Sequence, residues 1–345
     1  MFLRVAAVLR LAIKILAFYG PALREDPPNQ LNQSLRKMAV KLEGILPVLP
    51  TPYLADGIVD LDAMESVAQF CVDAGASALV FPGVASEFDF LSSDERMALM
   101  RVVCGVAKGR LPVVCSGGAG EAKAIGADIL KSQQLGAEAA MVLIPRQFQG
   151  DEDGALRFIL SVIENAPGVD IVLQNAPNPV GAGLDAFALM RIVEATDAIR
   201  YVKEETLPSG PKITELRNSA PEHLCGVIGG GGARYVIDEM NRGAVAAMPA
   251  AEITDIHVEI WNAYQRGNED KARELYRESL PLLIIQLIYR MRLTKTVLTK
   301  RGIFTNSIVR APLPEFDAYD EAELEAQLNR LSRYFKIAPS KVAAA

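Results

Sequence analysis

Lys203 and Glu205 are the two residues whose types and spacing could do chemistry together. They end Ile199-Arg-Tyr-Val-Lys-Glu-Glu205, an apolar run that stops abruptly in charge. A partly desolvated lysine amine loses its proton and attacks a ketone, and the resulting iminium acidifies the proton on the adjoining carbon. In an extended strand alternate residues point the same way, so Lys203 and Glu205 share a face while Glu204 points elsewhere. A carboxylate beside an iminium at C2 removes the C3 proton or helps a hydroxyl leave. An ordinary ion pair at the rim of the fold is the competing reading.

Other candidates stand where similar runs end. Ser86, Ala85 and the amides around Gly83 form a small-residue loop suited to a carboxylate, with an ordinary turn as the alternative. Gln174 and Gln147 are placed to hold hydroxyl groups, and Thr206 follows the Lys203 run directly. Gly229-Gly-Gly-Gly232 gives room for substrate around Gly230, and fits no phosphate-loop spacing. Arg146 is a candidate for the far end of a substrate, with a surface arginine as the alternative.

Eight β-rich runs position these residues: Ile45–Leu49, Ala78–Phe81, Pro112–Cys115, Ala140–Ile144, Ile171–Leu173, Tyr201–Lys203, Cys225–Ile228 and Ala244–Met248. Between them lie amphipathic stretches such as Leu61–Asp73, Ser93–Val106 and Ala122–Leu135, a repeat of about 30 residues as a β/α unit requires. Continuous apolar strands imply burial on both faces. Eight units in a row predict an α/β fold, a closed (β/α)8 barrel over residues 41–251, whose chemistry belongs at the C-terminal ends of the strands. After Ala251 the strands cease. Ile253–Gln265, Glu269–Ser279, Pro281–Lys300 and Glu321–Tyr334 read as helices, so residues 252–345 are a helical extension packed on the barrel. Pro281 is expected to start or kink a helix. The apolar run Leu280–Ile288 suits either a buried helix or a subunit contact.

The chain has 345 residues, 50% of them hydrophobic, enough to bury a large core. A net charge of −6 with scattered basic residues argues against nucleic acid. Cys71, Cys104, Cys115 and Cys225 read as reduced core residues. His223 and His257 are the two histidines, and neither ends a strand, so neither a metal site nor a histidine-based triad is expected. No cofactor is expected. Residues 1–40 read as a mobile or targeting extension, too short and too interrupted by Arg4, Arg10 and Lys14 to span a membrane. The expected location is the cytoplasm, or the mitochondrion should that segment be a targeting peptide.

From Gly44 to Tyr334 the chain resembles the dihydrodipicolinate synthase/N-acetylneuraminate lyase superfamily of class I aldolases and dehydratases. The resemblance rests on Gly44-Ile-x-Pro-Val-x-Pro-Thr-Pro-Tyr53, Gly83-x-x-Ser-Glu87 with Ser93-x-Glu-Arg96, Gln174-Asn-Ala-Pro177 and Val202-Lys-Glu204. It implies that Lys203 forms an imine with a 2-oxo acid whose carboxylate is held at Gly83–Glu87, that Glu205 serves as acid and base, and that the protein is a homo-oligomer, a tetramer or a dimer. Val84, Ala85 and Ser86 replace the family's threonine pair, and Gln147 stands where a relay tyrosine is usual. Val172-Leu-Gln-Asn-Ala-Pro177 and Lys203-Glu-Glu-Thr-Leu-Pro208 are similar to the sugar-acid branch, 2-dehydro-3-deoxy-L-arabonate dehydratases above all, with Asn175 for an aspartate and Leu207 inserted.

The expected function is therefore a Schiff-base lyase on a 2-oxo-3-deoxy sugar acid. Loss of water is favoured because one carboxylate can serve as base at C3 and then as acid to the leaving hydroxyl, whereas retro-aldol cleavage needs a base at the C4 hydroxyl. A pyruvate-dependent aldolase is the runner-up. A non-catalytic barrel that binds a 2-oxo acid and a phosphate-binding barrel are the readings from other classes.

Overall fold

The computed structural model describes residues 39–337. The extension expected over residues 1–40 lies almost wholly outside them. From Val40 the described chain forms one compact unit.

Eight short strands make a single parallel sheet: β1 (Gly44–Ile45), β2 (Leu79–Val80), β3 (Val113–Ser116), β4 (Ala139–Leu143), β5 (Asp170–Asn175), β6 (Ile199–Glu204), β7 (Gly226–Gly229) and β8 (Ala246–Ala247). From β2 to β8 each strand pairs with the next in chain order, and β1 pairs with β8. Val48 bridges Val80 on one side and Ala250 on the other, which closes the ring. The first strand is shorter than the run Ile45–Leu49 predicted, because Pro47 and Pro50 have no N–H to give. Its pairing continues as separate bonds, Leu46 N–H to the Ala247 carbonyl at 2.9 Å and Leu49 N–H to the Val80 carbonyl at 3.0 Å.

The barrel interior is filled, not hollow. Leu46, Val80, Val114, Met141, Val172, Tyr201, Ile228 and Met248 pack there in one buried cluster. The Tyr201 hydroxyl closes the floor, donating to the Val40 carbonyl at 3.0 Å and accepting from Leu42 N–H at 3.1 Å. Tyr201 points into this core, so two-residue alternation turns Lys203 the same way, one layer nearer the strand ends.

The outer helices are α1 (Leu61–Asp73), α2 (Ser93–Ala107), α3 (Ala122–Leu135), α4 (Glu152–Glu164), α5 (Ala186–Glu194), α6 (Ser209–Asn218) and α7 (Val236–Asn241). Asp60, Ser92, Asp151 and Asp185 start four of them, each side chain accepting an otherwise unpaired backbone N–H. The bounds of α1 and α3 coincide with the stretches read from periodicity.

Four further helices follow β8: α8 (Thr254–Gln265), α9 (Glu269–Tyr289), α10 (Met291–Lys300) and α11 (Ala318–Leu331). Helix α8 packs on β1 and thereby completes the eighth β/α unit, so the barrel runs past the expected boundary at Ala251. Leu275, Leu282, Leu293, Val297, Leu324 and Leu328 join α9, α10 and α11 to that helix in a second core. Pro281 neither starts nor ends a helix; it lies inside α9. The break comes at Arg290, with φ 48° and ψ −123°. Leu280–Ile288 divides by face: Leu282 and Leu283 are buried, whereas Ile284, Leu287 and Ile288 are exposed. Cys225 is also exposed, a correction to the reading of four core cysteines, while Cys71, Cys104 and Cys115 are buried. No described helix is long and apolar enough to cross a membrane.

Candidate active site

Lys203 lies near the end of β6, paired in register with Gln174 of β5 and Ile228 of β7. It is 5% exposed. Its Nζ is 3.1 Å from Glu205 Oε1. Gln174 Nε2 donates to the same oxygen at 2.6 Å. No described residue donates a hydrogen bond to Glu205 Oε2. Lys203 and Glu205 line a cavity of about 260 Å³ with Val48, Met141, Val180 and Met248 among its apolar walls. Apolar walls strengthen the interaction of any charges that meet there.

Gly230 is what lets Glu205 lie against the amine. A Cβ at Gly230 would sit 2.1 Å from Glu205 Cγ and 2.9 Å from the Glu204 carbonyl oxygen. The backbone is held close by Gly230 N–H, which donates to that carbonyl at 2.9 Å. Gly230 was expected to make room for substrate; it makes room for the catalytic candidate instead. Gly231 and Gly232 line the cavity itself.

Glu204 points the other way, as alternation predicts, and is fully buried. Asn175 Nδ2 donates to its Oε2 at 2.8 Å, while Thr206 N–H, at 2.6 Å, and the Thr206 hydroxyl donate to Oε1. Burial pushes its carboxyl above the usual carboxylate range, while Lys212, Asn175 and Thr206 hold it down. The Thr206 hydroxyl also accepts from Lys212 Nζ at 2.6 Å. Thr206, expected to touch substrate, is thus committed to a buried knot that fastens the ends of β5 and β6.

The loop after β2 carries a 3-10 turn, Val84–Ser86, and a second follows at Phe88–Phe90. Val84 and Ala85 line the Lys203 cavity. Ser86 is fully buried and turns inward. Its hydroxyl donates to the Leu49 carbonyl at 2.5 Å and accepts from Gly83 N–H at 2.9 Å, while Thr51 donates to the Ser86 carbonyl at 2.6 Å. Ser86 shapes the loop, and Ala85 is the member of the pair at the cavity wall. Glu87 next to it, with φ 56°, accepts from Lys295 Nζ and from the N–H groups of Arg310 and Ala311, both at 2.7 Å. This ion pair is buried on both sides. Burial pulls the Lys295 ammonium down to about 8, against the opposing pull of Glu87.

Gln147 and Arg146 are exposed on the turn Arg146–Phe148 and line neither cavity around Lys203. In their place the structure brings Arg234, Gln286, Arg290 and Met291 to the cavity wall. None of these was singled out from the sequence. Arg234 follows the glycine run and was within reach of that signal, whereas the last three come from the helical region, whose docking no local pattern reveals. A second cavity, of about 350 Å³, adjoins the first through Val84, Met141, Val180, Arg290 and Met291, and reaches Gln174.

Other shifted groups lie deeper. Burial raises Glu239 to about 7 against the Ser209 hydroxyl, which donates to it at 2.9 Å, and raises Glu252 to about 7. Burial lowers His257 to about 4. Among the described residues no group of three or more His, Cys, Asp or Glu side chains is placed to hold a metal ion.

Residues 41–331 match the Dihydrodipicolinate synthetase family. The chain is 30% identical over 292 residues to a protein named L-2-keto-3-deoxyarabonate dehydratase from Azospirillum brasilense, covering 84% of this chain and 94% of that one. It is 26% identical over 294 residues to the 4-hydroxy-tetrahydrodipicolinate synthase of Chlorobium luteolum, covering 84% and 98%. Among solved structures, dihydrodipicolinate synthase from Rhodopseudomonas palustris superposes with a TM-score of 0.80 at 24% identity, over 86% of this chain and 99% of that one. That likeness shows the same barrel.

Proposed function

This chain belongs to the dihydrodipicolinate synthetase family, and we propose that it is a Schiff-base lyase that removes water from a 2-oxo-3-deoxy sugar acid. The observation that carries this reading is Lys203 Nζ, buried at the strand ends and 3.1 Å from Glu205 Oε1 in a shared cavity.

The neutral Lys203 amine attacks C2, and the carbonyl oxygen departs as water, leaving an iminium. The carboxylate of Glu205 takes a proton from C3, and the electron pair of that C–H bond passes into an enamine. The same proton then goes from Glu205 to the C4 hydroxyl, which leaves as water as the enamine electrons form C3=C4. A water molecule hydrolyses the iminium, freeing the 2-oxo product and the lysine. Gln174, held at 2.6 Å from Glu205 Oε1, keeps that oxygen aimed at the amine and leaves Oε2 for the substrate. The carboxylate of the 2-oxo acid is assigned to the loop at Val84 and Ala85, which lines the cavity.

Elimination is favoured over carbon–carbon cleavage because Glu205 is the one carboxylate lining this cavity among the described residues. A retro-aldol step needs a base at the C4 hydroxyl, and Gln147, at the position of the usual tyrosine, is exposed. The similarity to the Azospirillum dehydratase points the same way. A homo-oligomer is also proposed, supported by the exposed face of Ile284, Leu287 and Ile288 on α9.

Treatment with pyruvate and borohydride, followed by peptide mapping, is expected to place a single adduct on Lys203. Lys203→Ala is expected to abolish both adduct and turnover while the fold survives. A screen of 2-oxo-3-deoxy acids with product analysis separates the outcomes: pyruvate release would make the protein an aldolase, and no adduct on any lysine would make it a binding protein.

A further inference from the structure

Arg234 and Arg290 line the Lys203 cavity without a carboxylate at ion-pair distance among the described residues. Arg234 is half-buried and donates to neutral acceptors, the Gln286 side-chain oxygen at 3.0 Å and the Leu283 carbonyl at 3.4 Å. Neither Arg234 nor Arg290 has an ion-pair partner among the described residues, whereas Arg292, Arg301 and Arg310 nearby in sequence are each paired with a carboxylate. Burial lowers the Arg234 guanidinium, and the charge of Arg290 adds to that effect, so the two cations are near enough to repel. Tyr235, Glu252 and Glu205 act on Arg234 in the opposite direction, but none of them is within ion-pair distance of it, and burial raises the Glu252 carboxyl to about 7. Glu205, the one carboxylate lining the cavity among the described residues, lies 3.1 Å from Lys203 Nζ. The outer part of the cavity is therefore cationic in a protein of net charge −6.

The backbone gives a second, independent sign. Arg290 is a side-chain-bearing residue at φ 48° and ψ −123°, a conformation that costs of order 1–3 kcal/mol and persists where the surroundings require it. It occupies the break between α9 and α10, and from there lines both cavities. Gly232 keeps the guanidinium of Arg234 uncovered, since a Cβ there would come 2.9 Å from its Nη1.

We infer that the substrate carries a second anionic group at its far end, received by Arg234 and Arg290. The chemical class is a 2-oxo acid with a distal carboxylate or phosphate, in which planar guanidinium donors pair with two oxygens. This inference rests on the Schiff-base reading, and it extends the substrate from a sugar acid with a neutral end to a dianion.

The test compares borohydride trapping on Lys203 for 2-oxo acids of equal length, 2-oxoglutarate against 2-oxopentanoate and 2-oxoadipate against 2-oxohexanoate, with 2-dehydro-3-deoxy-6-phosphogluconate as the phosphate arm. The dianions are expected to half-saturate at concentrations about tenfold lower or more, the worth of one charge-assisted contact. Arg234→Gln and Arg290→Gln should each bring that ratio toward one. Arg290 is exposed, so its variant keeps the test sound should Arg234→Gln fail to fold. A stronger preference for the phosphate ester would assign the anion to phosphate rather than carboxylate. Equal saturation by dianion and monoanion in the unaltered protein would overturn the inference. Absence of any pyruvate adduct would instead overturn the Schiff-base reading on which it rests.

Discussion

Gly230→Ala tests whether the position of Glu205 matters. A Cβ at that site falls 2.1 Å from Glu205 Cγ. Ordinary carbon–carbon contact is about 3.5–4.0 Å, so the Glu205 side chain must retreat by roughly 1.5 Å or the β7 end must move. The main chain resists, because Gly230 N–H is bonded to the Glu204 carbonyl at 2.9 Å and the new Cβ would press on the same oxygen. A shift of that size breaks the 3.1 Å contact with Lys203 Nζ and the 2.6 Å bond from Gln174. Misplacing a reacting group by about 1 Å costs on the order of 10²-fold in rate, and overpacking of this kind costs about 1–3 kcal/mol in stability. The expected result is a fall in kcat of ~10²-fold with a modest drop in Tm. Lys203 still traps pyruvate, since the amine itself is not displaced. Steady-state turnover, borohydride trapping and a thermal melt on the same sample read the three effects. A folded variant with kcat unchanged would refute the reasoning, because it would mean that the reaction does not depend on where Glu205 lies.

Three further outcomes follow from the same geometry. Glu205→Gln should retain imine formation and slow turnover by ~10²–10⁴, and normal rates would move the base to water or a hydroxyl. Thr206→Val removes the hydroxyl that donates to buried Glu204 and accepts from Lys212, keeps the backbone N–H, and is expected to cost about 1–3 kcal/mol in chemical denaturation with KM unchanged; a raised KM at unchanged stability would return Thr206 to the substrate. Arg310, through its hydrogen bond, holds the Glu95 carboxyl down to about 2 from an ordinary 4.5, against a smaller opposing effect of burial. A depressed folded-state value means stability that is present above about pH 4.5 and is lost as pH falls toward 2, of order 3 kcal/mol at most. Glu95→Gln should therefore be less stable than the parent at pH 7 and nearly equal to it near pH 2; a gap independent of pH would contradict the pairing.

How far the sequence reached can be judged residue by residue. The eight apolar runs, the bounds of α1 and α3, and the opposed faces of Lys203 and Glu204 were all legible, because strand alternation and helical periodicity are local and act within a few residues. The barrel followed from them, since parallel strands buried on both faces leave little choice of architecture. The roles of Ser86, Thr206, Gly230 and Gln147 were not legible. Each depends on which neighbour a side chain meets once the ring has closed, and three of the four turned out to shape or fasten the site, with the fourth exposed. Arg290 was hidden for the same reason at longer range, whereas Arg234 follows the glycine run and was within reach of that signal. The helical region reaches the cavity only by docking across the barrel mouth, where Lys295 meets Glu87 from 208 positions away. Local pattern settled which residues could react; packing between distant segments decided what surrounds them, because hydrogen bonds and uncompensated charge are properties of neighbours in space.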